Sequence, residues 1–239
     1  MTLRERFKKV MHYEKVDSIP NFEYGYLDQT YVNWRAQGLP DMVKDEKSAY
    51  RYFGIEDWLA VPINKGPRPP LKEIILEESE DYVIYQGTDG AKAKRKKGSG
   101  PVTIPQFLSH LIEKEQDWIN FKPRLDPEAP GRFPDNWDEL VKQYKNRDYP
   151  LGIYFGSMIG TPRDWMGFEG LSYLLYDNRP MVEDIVETLC VLSCSVIEGM
   201  FKSDIEIDFA AGWEDICYNS GPIISPKMFH EIVTPRYKR

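Results

Sequence analysis

Hydrophobic and polar positions change period several times along this chain, and the changes mark its elements. Leu3, Phe7, Val10 and Met11 recur at helical spacing behind Thr2 and Glu5, a capping-box pair, so residues 2 to 13 are predicted to be a helix. Asn21 to Tyr26 read as a first strand, with Glu23, Tyr24 and Tyr26 toward its end. Ile55 to Ile63 read as a second, with Asp57 near its start. Residues 28 to 53 between them are predicted to be mostly helical, broken near Gly38-Leu39-Pro40. Tyr149 to Phe155 make a third strand, followed by Gly156 to Gly160 and by Thr161-Pro162, a cap and proline that open a helix. Val182, Ile185, Val186, Leu189, Leu192 and Val196 form the apolar face of a long helix from Asn178 to Phe201. Ile205, Ile207 and Phe209 then alternate with Glu206 and Asp208, the two-residue period of a fourth strand. Ala210-Ala211-Gly212 leaves room for a close backbone approach, and Ser225-Pro226 starts a last helix.

A different pattern interrupts this series. Lys65 to Pro70 read as a stiff, proline-rich linker. Ile74 to Glu78, Tyr82 to Tyr85 and Ala91 to Lys97 are then predicted to form a small antiparallel meander, about residues 71 to 100, with Asp89-Gly90 as a hairpin turn. Lys92, Lys94, Arg95, Lys96 and Lys97 fit a solvated edge strand that lysines protect from pairing. Residues 105 to 147 read as helical pieces broken by prolines. Strand–helix units therefore recur near residues 20, 57, 150 and 205. That cadence predicts an α/β fold of the (β/α)8 TIM-barrel type, with about the first four units present in one domain spanning 1–239.

Composition narrows the partners. The 239 residues are 41% hydrophobic and 29% charged, enough for a sizeable core under a polar surface. The net charge of -7 and pI near 5.2 argue against nucleic acid and anionic membranes as partners. No apolar run approaches the roughly 20 residues of a membrane span. The amino terminus lacks the apolar centre of a signal peptide, which predicts a cytoplasmic protein. Three cysteines suit a reducing compartment and no disulfide framework.

Chemistry in parallel α/β folds collects in the loops after the strands. Trp213, Glu214 and Asp215 arrive together just past the fourth strand. With Asp208 they are the candidate acid, base or ligand-positioning groups, because burial or a like-charged neighbour can raise a carboxyl pKa toward neutrality. The competing reading is that Glu214 and Asp215 cap the following turn or helix. Gly156 to Gly160 is a weak anion-loop signal, and Arg163 just after it is within reach of a ligand. Glu23 and Tyr24, after the first strand, are the candidate substrate-binding groups together with Trp213 and Arg163. His12, His110 and His230 have no His or Cys partner at metal spacing, so no metal ligands are assigned. Cys190 and Cys194, four apart on a helix, and Cys217 read as packing residues.

Three stretches carry a family likeness. LRERFKKVMHYEKVDSIP, YPLGIYFGSMIGTPRDWMGFEGL and DFAAGWEDICYNSGPIISPKMFHEIVTPRYKR resemble the opening, the third strand–helix unit and the fourth unit of the uroporphyrinogen decarboxylase superfamily, which also holds corrinoid- and coenzyme M-linked methyltransferases. The resemblance implies a (β/α)8 barrel with its site at the carboxyl ends of the strands. Porphyrinogen decarboxylases carry an R-Q-A-G-R motif after the first strand, where this chain reads NFEYGYLDQTY without an arginine. Their F-S-D aspartate has no match in WLAVPINKG. The chain thus looks more like the methyltransferase-type or uncharacterised branch than like a tetrapyrrole-making lyase. In that branch an H-x-C motif and a later cysteine hold zinc, so zinc and a corrinoid protein are implied as cofactor and partner of a full-length methyltransferase, beside a small-molecule substrate. With four of the barrel's eight strands, the chain is expected to be part of a longer protein, or to pair with a second copy as a homodimer. A non-catalytic binding or assembly module is the alternative.

Overall fold

A computed structural model describes residues 1–97 and 105–239 of the chain. Helices α1 (Leu3–Met11), α2 (Asp28–Ala36) and α3 (Glu46–Phe53) lead into a two-residue strand, β1 (Leu59–Ala60). Strands β2 (Ile74–Glu78), β3 (Tyr82–Gln86), β4 (Lys92–Lys96) and β5 (Gln106–Ser109) follow, and then α4 (Glu115–Phe121) and α5 (Trp137–Lys145). The second half holds β6 (Leu151–Gly156), α6 (Gly160–Asp177), α7 (Arg179–Phe201) and β7 (Phe209–Gly212). A small hairpin of β8 (Cys217–Tyr218) and β9 (Gly221–Pro222) precedes α8 (Pro226–Met228), one π-helical turn (Phe229–Val233) and α9 (Thr234–Tyr237).

The architecture departs from the expected barrel. The described residues form a parallel sheet of three strands, ordered β1-β6-β7, beside two separate antiparallel sheets. The parallel sheet stays open, so the (β/α)8 barrel is not what this chain builds. Asn21 to Tyr26 is not a strand: the Asn21 N–H bonds the Glu56 carboxylate, and Gly25 turns the backbone with a φ of +94°. The second strand is cut to two residues by Pro62, which has no N–H for the ladder. Ile63 then folds back to the Val61 carbonyl, and the Lys65 ammonium takes the Tyr154 carbonyl that a longer strand would have paired. The fourth strand begins where it was predicted to end, because the ladder to β6 starts at Phe209, opposite Gly152.

The inserted meander is real and has four strands, ordered β2-β3-β4-β5. The lysine-rich β4 is flanked on both sides, so it is not an edge strand. Its basic groups are held over the rings of β3: Lys94 lies 3.8 Å from the Tyr82 centroid and Arg95 5.0 Å from that of Tyr85. The expected end of this insertion, residues 98–100, lies outside the described residues.

The main core is built round α7. Val182, Ile185, Val186, Leu189, Leu192 and Val196 are buried against Trp118 and Phe121 of α4, Trp165 and Met166 of α6, and Ile232 and Val233 near the carboxyl end. Each such burial stabilises by about 1.5–3 kcal/mol. A second cluster joins Leu151 and Ile153 of β6 to Tyr144, Met200 and Ile205, which fixes the sheet against the helices. Among the described residues no helix is long and apolar enough to cross a membrane.

Candidate functional site

Glu214, one of the acidic pair beside Trp213, is held by a saturated set of donors. Its carboxylate accepts from the Ser157 hydroxyl at 2.7 Å and from the backbone N–H groups of Met158, Ile159 and Gly160 at 2.6 to 3.2 Å. The Tyr237 hydroxyl donates to it as well. These amides run into the amino end of α6, which begins at Gly160, so Glu214 caps a helix that starts 54 residues earlier in the chain. The π-helical turn before Pro235, a residue without an N–H, carries Tyr237 to this point. Burial and the Glu214 carboxylate raise the Tyr237 hydroxyl well above the usual phenol range. The result ties the loops after β6 and β7 together. Glu214 thus caps an earlier helix and holds Tyr237, rather than capping the turn or helix that follows it.

Trp213, Arg163 and Asp215 assemble beside this cap. The Trp213 ring packs against Gly160, where a Cβ would meet it at 2.3 Å, so only glycine fits there. The Arg163 guanidinium lies 5.8 Å from the Trp213 ring and donates to the Asp215 carbonyl at 2.9 Å and carboxylate at 3.3 Å. Asp215 itself remains largely exposed.

Asp208 is at the other end of the sheet, which corrects its placement at the mouth. It precedes β7, with its carboxylate 0% exposed. It accepts from Arg4 Nε at 2.9 and 3.1 Å, Arg147 Nη2 at 2.8 Å and the Leu151 N–H at 3.0 Å. Arg4 also bonds Glu206 at 2.7 Å, and with Lys8 it holds that carboxyl down to about 2. This network docks α1 on the amino end of the sheet. The physical reason for the misplacement is that the alternating residues 205–209 approach the ladder rather than form it.

Glu23 and Tyr24 line a cavity of about 370 Å³ with Glu46, Tyr50, Asp57, Trp58, Ala60 and Tyr154. Trp213 and Glu214 line a different one, of about 620 Å³, with Phe155 and the α7 residues Cys190, Cys194 and Ile197. Tyr154 packs on Trp58, whereas Phe155, at a bulge in the same strand, faces α7. The single mouth expected from the sequence is therefore two cavities on opposite faces of the sheet. Sequence reasoning also passed over Lys65, read as the start of a linker. Burial pushes its ammonium down to about 8, with the Tyr154 carbonyl as its hydrogen-bond acceptor. Its position just after β1 was the signal available. Glu46 and Tyr50 gave none, since α3 meets the cavity only through tertiary packing.

Among the described residues no group of three or more His, Cys, Asp or Glu is arranged to hold a metal ion. Cys190 and Cys194 sit on α7 without a histidine, and burial pushes the Cys190 thiol up to about 11, away from the thiolate that zinc requires. These residues do not fit a resident zinc.

Comparison with known proteins yields one distant likeness to report. No protein-family model matches the chain, and no curated protein does. A solved structure described as a methyltransferase from Methanosarcina mazei aligns with 99% of this chain at 11% identity and a TM-score of 0.48. The chain spans 65% of the length of that protein.

Proposed function

We propose that this chain supplies the substrate-holding part of an enzyme that moves a methyl group to or from a small molecule. The sequence resemblance of three stretches to the uroporphyrinogen decarboxylase superfamily gives the reaction class. The wall of the Glu23 cavity favours one of its branches. That wall carries three carboxylates, Glu23, Glu46 and Asp57, and four rings, Tyr24, Tyr50, Trp58 and Tyr154, with no arginine or lysine. A polycarboxylate porphyrinogen would meet repulsion there, about 1 kcal/mol per charge pair at 4 Å even in bulk water. A neutral or positively charged methyl carrier would not. In this reading Glu23, Tyr24 and Trp58 hold the substrate, and Arg163 with Trp213 orders the loop that presents Asp215. Glu214 acts through these loops as a positioning residue. A corrinoid protein is the proposed partner in the exchange.

The test is incubation of the protein with methylated thiols, amines and methyl ethers and free reduced cobalamin as acceptor, followed by the corrinoid's visible spectrum. Substrate-dependent methylation that falls at least ~10-fold in Glu23→Gln or Trp58→Phe is expected, a loss of about 1.4 kcal/mol in transition-state binding. Decarboxylation of uroporphyrinogen without any methyl transfer would overturn the reading. A second reading, a binding or assembly module, is favoured by the apolar cavity along α7, which includes Phe155, Ile197 and Phe201. It predicts a homodimer in analytical ultracentrifugation and no turnover.

A further inference from the structure

The cavity on the Tyr154 face of the sheet contains charge that nothing in the described structure neutralises. Glu23, Glu46 and Asp57 enter none of the ion pairs that the other acidic side chains of this region make, such as Glu56 with Arg6 at 2.6 Å. Lys65 does not fill that role. Its ammonium is lowered by burial alone, with no carboxylate opposing the shift. The carboxylates are also placed with care. Glu46 lies in the first turn of α3, and its carboxylate rests over Gly25, where a Cβ would meet Oε2 at 2.3 Å. The Tyr50 hydroxyl donates to the Glu23 carbonyl at 3.1 Å, which pins α3 to the segment that carries Glu23. Burial, with the Glu23 and Glu46 charges added, raises the hydroxyls of Tyr26 and Tyr50, so the negative field reaches the neighbouring rings.

The rings complete the case. Trp58 meets Tyr154 at 5.9 Å and 61°, and Phe209 at 5.4 Å and 76°, so the walls present edges and faces at steep angles. A metal ion needs convergent oxygens, and these carboxylates do not converge: no three acidic, His or Cys groups among the described residues form a metal cluster. Aromatic faces with dispersed negative charge suit a diffuse organic cation instead. A volume of about 370 Å³ is the size of a small-molecule site.

We propose that the Glu23–Glu46–Asp57 cavity, walled by Tyr24, Tyr50, Trp58 and Tyr154, binds a small methylated ammonium compound. This rests on the reading of the same cavity as the substrate site and names the class of ligand it takes. The methyl groups contact the rings, and the carboxylates face the charge without a direct hydrogen bond, because a quaternary nitrogen has no N–H to give.

Choline and 3,3-dimethyl-1-butanol, its neutral carbon isostere, separate this from simple apolar binding. Calorimetry and proton NMR on the purified protein should show choline binding at least ~10-fold tighter than the isostere, with its N-methyl resonance shifted by the rings. Tyr24 is 89% exposed, so Tyr24→Ala leaves packing untouched and should weaken choline by ~3-fold or more. The paired change Glu23→Gln with Glu46→Gln should lower affinity further and flatten its salt dependence. Equal binding of the two compounds, or binding of neither, overturns the inference. So does displacement of choline by magnesium at the same site. Methyl transfer without choline binding would remove this inference and keep the proposed function, whereas choline binding without turnover would do the reverse.

Discussion

The amino end of the parallel sheet and the cavity on its Tyr154 face treat charge in opposite ways. At the amino end the Asp208 carboxylate is wholly buried, and it is matched by Arg4, Arg147 and a backbone amide, with the Arg147 side chain only 2% exposed. In the cavity Glu23, Glu46 and Asp57 share one space and no cation. A buried charge persists only when it is paired and hydrogen-bonded. The first set therefore holds the fold together. The second keeps to the surface, and it is available to a ligand. Carboxylates that look alike in the sequence are sorted by what saturates them.

The largest effect should come from breaking the saturated end. Asp208→Ala leaves two guanidinium groups facing a buried gap, and about 3–5 kcal/mol of stability should be lost. A urea midpoint within experimental error of the parent would mean that α1 does not dock through this network. Glu214→Ala comes next. It strips acceptors from the amides at the amino end of α6, from Ser157 and from Tyr237, and should cost about 1–3 kcal/mol. Faster amide exchange at residues 158–160 would report the loss locally. Unchanged exchange would leave the loops tied by something else.

The contrast explains which parts of the site could be read from residues alone. Trp213, Glu214 and Asp215 stood out because small residues and a turn follow an apolar strand, and that local pattern does mark the end of β7. What they do there was hidden, since the donors to Glu214 come from residues 157–160 and 237. Asp208 was misplaced because period-two alternation does not say which residue first joins a ladder. Barrel closure failed as an expectation for a related reason. Strand–helix cadence describes segments, whereas closure depends on edges distant in the chain, and Pro62 and Gly25 remove two of the pairings it needs. Lys65 and Glu46 acquire their surroundings only when the sheet and α3 come together.

A smaller effect sharpens the comparison through pH. Lys65 has a folded pKa near 8 against about 10.4 for an unfolded lysine. Between those values the unfolded chain binds more protons, so stability should rise with pH through that window. Below 8 both states are protonated, and the full cost of holding the buried ammonium applies. Lys65→Met should lack this rise. The difference between the two pH–stability curves isolates the residue from the tyrosines and other lysines that titrate nearby. Identical curves would place Lys65 in water.

The smallest effect on the fold should come from the cavity itself. Glu23→Gln with Glu46→Gln removes two exposed charges that enter no ion pair among the described residues, and their side chains keep their volume. Surface changes of this kind move stability by less than about 0.5 kcal/mol. Here the sign should be slightly favourable, because the pair repels and both charges act on the hydroxyls of Tyr26 and Tyr50. Ligand affinity should fall in the same variant. Stability unchanged with binding lost is what an unsatisfied, functional pair predicts, and it is the reverse of Asp208. A variant that lost 2 kcal/mol or more would show that Glu23 and Glu46 support α3 rather than serve a ligand, and the two regions would no longer differ in kind.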